Sequence, residues 1–165
     1  MAKRRAARVR AARGVGRAVR VPPAAEVVAT RYVESSALVA ALLEHDADAR
    51  ASLRAGGRRV TPTLTLAEAT RAIIRARVTG RMKPTEERAA VRALQVFARR
   101  CDIAAVTDAI LARVGRPFPV EPVRTLDAVH LATAEVLDDA PQLVTIVTRD
   151  NRVRDNARAL GYMVE

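Results

Sequence analysis

The chain has 165 residues, half of them apolar but with only two Phe, two Tyr and no Trp, which suits one domain with an aliphatic core. A single cysteine, Cys101, excludes an internal disulfide framework and a cysteine zinc site, and two histidines, His45 and His130, argue against a zinc cluster; a reducing cytoplasm fits best. The net charge of +11 is concentrated in residues 1–25, which carry eight basic side chains and no acid, so the rest is only mildly basic at +3.

Residues 1–29, which include the Pro22-Pro23 breaker, are expected to form a basic, disordered extension, and residues 30–165 the folded domain. Three readings stand for the extension: an arm that gathers RNA by counterion release, an idle solvated tail, or the product of a start codon placed too far upstream. Residues 31–34 predict a short strand that runs into a helix over 36–44, with Ala37, Leu38, Ala41 and Leu42 on one face. A second helix is expected over about 46–55, stopped by Gly56-Gly57, followed by a short strand at 59–61. Apolar periodicity then predicts helices at 66–78, closed by Gly80, and at 85–100, entered through Pro84. A short strand at 102–104 and helices at 107–114 and 125–137 follow. The run 143–148 is continuous and β-branched, as a buried parallel strand requires. A helix at 153–160 and a strand at 162–164 complete the order. Strands alternating with helices indicate an α/β fold with a parallel sheet covered on both faces, and no apolar run approaches the roughly 20 residues of a membrane span.

Four acids stand where such a sheet collects ligands, at strand ends and helix starts: Glu34, Glu68, Asp127 and Asp150. Each has a plain alternative. Thr65 and Glu68 spell a capping box, Thr125 is placed to cap the helix that carries Asp127, and Asp150 before Asn151 suits a turn. Glu34 is harder to dismiss, because an acid at the junction of a strand and an apolar helix is at least half buried and needs a partner. Gathered at one edge, four carboxylates repel one another unless a cation sits among them, and Mg²⁺ or Mn²⁺ is the usual answer. Glu34, Asp127 and Asp150 are the candidate metal ligands, and Glu68 is a candidate to position a metal-bound water or to support the ligands from behind. His130 follows Asp127 by one helical turn and is left outside this set as a packing residue or an orienting one. Ser36 and Thr148 put hydroxyls beside the acids, and Arg149, Arg152 and Arg154 are open to reading as phosphate contacts or as surface charge.

The segments Tyr32-Val-Glu-Ser-Ser-Ala-Leu-Val39, Leu64-Thr-Leu-Ala-Glu-Ala69, Arg124-Thr-Leu-Asp-Ala-Val-His-Leu-Ala-Thr-Ala134 and Val147-Thr-Arg-Asp150 resemble, in order, those of PIN-domain ribonucleases, more narrowly the VapC-like toxins. The resemblance covers about residues 31–165. It implies a three-layer α/β/α PIN-like fold, dependence on Mg²⁺ or Mn²⁺, and cleavage of single-stranded RNA. It also implies a homodimer and neutralisation by a small VapB-like antitoxin that places a basic side chain among the acids. The family's acidic set falls on Glu34, Glu68, Asp127 and Asp150. One departure stands out: the family's first acid is normally Asp, and here it is Glu34, whose extra methylene displaces the carboxylate from where a small ion would meet it. Rival readings are a non-catalytic member that keeps the fold and the partner, and an RNA-binding module in which the acids are structural. A phosphatase acting on small esters ranks last, since no Gly-rich phosphate loop or nucleophilic Asp-x-Asp is visible, and Asp46 and Asp48 read as ordinary solvated or cap residues.

Overall fold

The computed structural model describes residues 29–137 and 139–165. The basic extension expected at the N-terminus lies, apart from Ala29, outside the described residues.

Five strands, β1 (Thr30–Val33), β2 (Arg58–Pro62), β3 (Asp102–Ala104), β4 (Val144–Val147) and β5 (Met163–Val164), form one wholly parallel sheet in the order β3-β2-β1-β4-β5. Among the described residues seven α-helices connect them: α1 (Ser35–Leu43), α2 (Ala47–Arg54), α3 (Thr63–Val78), α4 (Pro84–Ala98), α5 (Asp108–Val114), α6 (Thr125–Glu135) and α7 (Asn151–Ala159). The expected α/β architecture is present, with each strand and helix within a few residues of its predicted span.

Alternation along the strands sends neighbouring side chains to opposite faces. Tyr32, Val60 and Ile146 pack with Ile110 of α5, Leu131 of α6 and Val153 of α7, while Val33 and Val147 pack with Leu38 of α1, Ile73 of α3 and Leu94 of α4. The result is three layers, with α2 docked on α1 through Ala40, Ala41 and Ala49. Leu38 is fully buried, so its replacement by Ala leaves a cavity that costs about 3 kcal/mol. Gly57 (φ +111) turns the chain into β2 so tightly that a Cβ would collide with the Ala29 carbonyl oxygen.

From β1 the chain moves outward through β2 to β3, then crosses back to place β4 on the other side of β1. The crevice at the carboxyl ends of β1 and β4 is therefore the topological switch point of the sheet, where ligands of open α/β folds collect. Glu34 follows β1 directly, and Asp150 follows β4 by three residues.

Two capping arrangements suggested by the sequence are absent. Helix α3 starts at Thr63 behind Pro62, three residues earlier than a Thr65 cap requires, because Pro62 ends β2 and enters the helix at once. The Thr65 hydroxyl turns instead toward the Val33 carbonyl oxygen (3.5 Å), which also accepts from Thr61 (2.8 Å). Glu68 is thereby released from capping. Thr125 likewise lies inside α6, whose N-cap is Arg124.

Candidate active site

Glu34 is the N-cap of α1, in extended conformation, and only 3% exposed. Its Oε2 accepts from the Ser36 backbone N–H (3.0 Å), the Ser36 hydroxyl and the Thr148 hydroxyl (2.8 Å), while Oε1 accepts from the Ser35 hydroxyl (2.7 Å). Those hydroxyls accept in their turn from the β4–α7 connection. The Arg149 N–H donates to Ser36 Oγ (2.7 Å), and the Asp150 N–H donates to Thr148 Oγ1 (3.0 Å). Glu34 thus clasps the end of β4 to the end of β1 through two relaying hydroxyls. The longer side chain curls back onto the helix it caps.

Asp150 caps α7, with Oδ1 accepting from the N–H groups of Arg152 (2.7 Å) and Val153 (3.2 Å), and its Oδ2 takes no part in the cap. Asp127 occupies the first turn of α6. It is half-buried, and its Oδ2 is buried with no hydrogen-bond partner. Burial first, then the charges of Asp150 and Glu34, push the Asp127 carboxyl above its ordinary range, and Arg124 and His130 oppose this. Glu68, in the second turn of α3, puts Oε2 2.8 Å from Nε2 of His130, which also lies 3.7 Å from Glu34 Oε1. The fold thus links Glu34 and Glu68 through one imidazole and sets Asp127 within the field of Asp150 and Glu34.

Whether these residues suit a divalent cation is a test of their donor atoms. Among the described residues no three His, Cys, Asp or Glu side chains converge as ready-made ligands of one ion. Glu34 has both oxygens engaged, and Glu68 is held by His130. Asp127 and Asp150 remain, the first with an orphaned buried oxygen and with the charge of Asp150 raising the cost of its ionisation. Mg²⁺ is commonly held by one or two carboxylates, with water and substrate phosphates completing its shell. The donor set fits that mode of binding.

Sequence reasoning left His130 outside the site, its only signal being a histidine one turn after Asp127 in a largely apolar helix. It also passed over Ser35 and Tyr32, while Ser36 and Thr148 stand beside Glu34 as expected. Of the arginines, Arg149 pairs with Asp46 Oδ2 (3.0 Å), the carboxylate that caps α2, and Arg154 bonds Asn151 and the Thr148 carbonyl.

The family model for the PIN domain matches residues 31–159. The chain belongs to the PIN-domain family. It is 34% identical over 137 residues to ribonuclease VapC35 of Mycobacterium tuberculosis, covering 81% of this chain and 93% of that protein. With ribonuclease VapC46 of the same organism it shares 37% identity over 139 residues, 83% of this chain and 97% of the relative. Two solved structures have the same fold: VapBC2 from Rickettsia felis bound to a promoter DNA fragment (TM-score 0.53, 13% identity, 82% of this chain and 97% of that one), and PAE2754 from Pyrobaculum aerophilum (TM-score 0.52, 20% identity, 86% and 92%). As a VapC-like PIN protein, the chain carries its four acids on the PIN scaffold at the switch point of the sheet.

Proposed function

We propose that this PIN-domain protein is a Mg²⁺- or Mn²⁺-dependent endoribonuclease that cleaves single-stranded RNA, acting as the toxin of a toxin–antitoxin pair. The observation that carries this reading is the orphaned Asp127 oxygen, on a carboxyl within the field of Asp150 at the crossover of the sheet. Such a site is electrostatically incomplete until a cation arrives. The named ribonuclease relatives support the same reading.

When bound, the cation would acidify an attacking water and offset charge on the phosphoryl oxygens. Asp127 and Asp150 would hold it. Glu34, expected as a third ligand, contributes here by fixing Thr148 and Ser36 and so the backbone that presents Asp150. Glu68 orients the attacking water and takes its proton as the new P–O bond forms and the bond to the leaving oxygen breaks. With so few aromatic residues, base stacking contributes little, and RNA is chosen by shape and a few polar contacts. Asp127→Asn and Asp150→Asn should each abolish metal-dependent cleavage of RNA while leaving the circular dichroism of the fold intact. Undiminished cleavage would remove that residue from the site.

The antitoxin part of the reading has a surface to match. A cleft of about 510 Å³ between α1–α2 and the α3–α4 corner is lined by Leu42, Leu53, Met82 and Ala93 and has Arg50, Arg54 and Arg81 on its rim against one acid, Glu86. An apolar floor with a basic rim suits an amphipathic helix with acidic flanks, and α1 connects this cleft to Glu34 at its own N-terminus. Homodimerisation, checked by light scattering, and a cytoplasmic location belong to the same proposal. No helix among the described residues is long and apolar enough to cross a membrane.

A second reading, a catalytically weakened PIN protein acting by RNA or antitoxin binding, is favoured by the full engagement of Glu34. The two readings part on Glu34→Asp: a rise in cleavage favours the weakened form, and a fall favours the competent one.

A further inference from the structure

His130 is 1% exposed within α6, yet polar partners face both of its ring nitrogens. On the Nε2 side are Glu68 Oε2 at 2.8 Å and Glu34 Oε1 at 3.7 Å. On the Nδ1 side is the Tyr32 hydroxyl at 3.3 Å, on a ring set edge-on to the imidazole. Tyr32 is itself fully buried on β1, two residues before Glu34. Burial foremost, with the charges of Glu34 and Glu68 adding to it and the Thr133 hydroxyl opposing, drives its phenol well above the ordinary value, so Tyr32 keeps its proton.

A neutral imidazole has one proton to place on two nitrogens, and the bond made by one nitrogen settles the other. A bare lone pair on Nε2 would face two carboxylates. A proton there is attracted to both, which leaves Nδ1 as the acceptor, with a phenol in place to donate to it. We propose that Tyr32 and His130 form a tautomer lock: the Tyr32 O–H donates to Nδ1, the ring proton stays on Nε2, and Nε2–H holds the Glu68 carboxylate in place. This deepens the hydrolase reading and rests on it for its catalytic consequence. Glu68 is kept off the cation and turned toward the water it serves, and His130 is a positioning residue acting through Glu68.

Nitrogen-15 NMR of the imidazole in the whole protein reads the tautomer with neither metal nor RNA, and His45→Gln removes the second histidine's signals. Wherever the ring is neutral it should show one tautomer, protonated at Nε2, and Tyr32→Phe should shift the Nδ1 resonance as that nitrogen loses its donor. A neutral ring protonated at Nδ1, or an Nδ1 resonance indifferent to Tyr32→Phe, would overturn the lock. In RNA cleavage with Mn²⁺, His130→Ala should lower kcat by about 10- to 100-fold at unchanged KM. His130→Gln, which keeps an N–H near the Nε2 position, should recover part of it. Electron paramagnetic resonance of unbound Mn²⁺ should show similar affinity in all three proteins. Equal kcat in native and alanine forms would refute the positioning role. If His130→Ala fails to fold, Tyr32→Phe carries both the spectral and the kcat comparison. Should the native protein cleave no RNA, the hydrolase reading fails by itself, and the spectra still decide the tautomer.

Discussion

Asp127→Asn separates the electrostatics of the site from its chemistry. In the native protein without a cation, Asp127 holds a charge that burial, Asp150 and Glu34 all disfavour, with one oxygen buried and unpartnered. An unsatisfied buried acceptor costs about 1–3 kcal/mol, and partial exposure places this one near the lower end. Against the gain stands the loss of an acid from the first turn of α6, worth about 0.3–1 kcal/mol. The net expectation is a variant more stable by roughly half a kcal/mol in EDTA, or about 1–2 °C in melting temperature for a domain of this size. The folded carboxyl has a raised pKa, so its cost is absent below the ordinary value of 3.8, grows as pH rises through that value, and is complete above the folded one. The advantage of the variant should follow the same course and be full at neutral pH. Cation binding reverses the order. At about 100 times its dissociation constant, Mn²⁺ stabilises the native fold by roughly 2.7 kcal/mol, and a variant without the ligand gains almost none of this. Thermal melts at neutral pH in EDTA and in graded MnCl₂ should therefore cross. Two parallel curves, or a variant less stable in EDTA, would refute the reasoning.

Three further outcomes follow from the same geometry. Asp150→Ser should keep the α7 cap to within a few tenths of a kcal/mol while abolishing cleavage, whereas Asp150→Ala should also lose about 1 kcal/mol in urea unfolding; equal stability of the two would mean that the cap contributes nothing. Glu34→Gln trades a carboxylate that accepts four hydrogen bonds for an amide that accepts with one oxygen only, and should cost about 2–3 kcal/mol in urea unfolding, where an unchanged midpoint would disprove the clasp. Ala93→Glu puts a charge into the apolar cleft and should weaken antitoxin binding by about tenfold in calorimetry with RNA cleavage unchanged; undiminished binding would move the partner elsewhere.

Much of the fold was legible because local signals agreed with one another. Pro84 marks a helix start, Gly57 and Gly80 mark the exits, and the β-branched run ending at Val147 admits only a buried strand, whereas the entry to α3 at Pro62 was missed. The candidate acids were legible as positions, since strand ends in a parallel sheet share one edge whatever the side chains do there.

The sequence by itself determined the order of elements, the parallel sheet and the set of acids brought to its switch point, because these depend on periodicity and chain punctuation. Only the tertiary structure decided what each acid does. Glu34 is drawn onto Ser35, Ser36 and Thr148, and Thr148 arrives from 114 residues away in sequence. Glu68 exchanges an expected cap for His130, 62 residues on, and Asp127 is left with an oxygen that nothing satisfies. A side chain's partner is chosen by distance and desolvation across packed layers, and spacing along the chain measures neither.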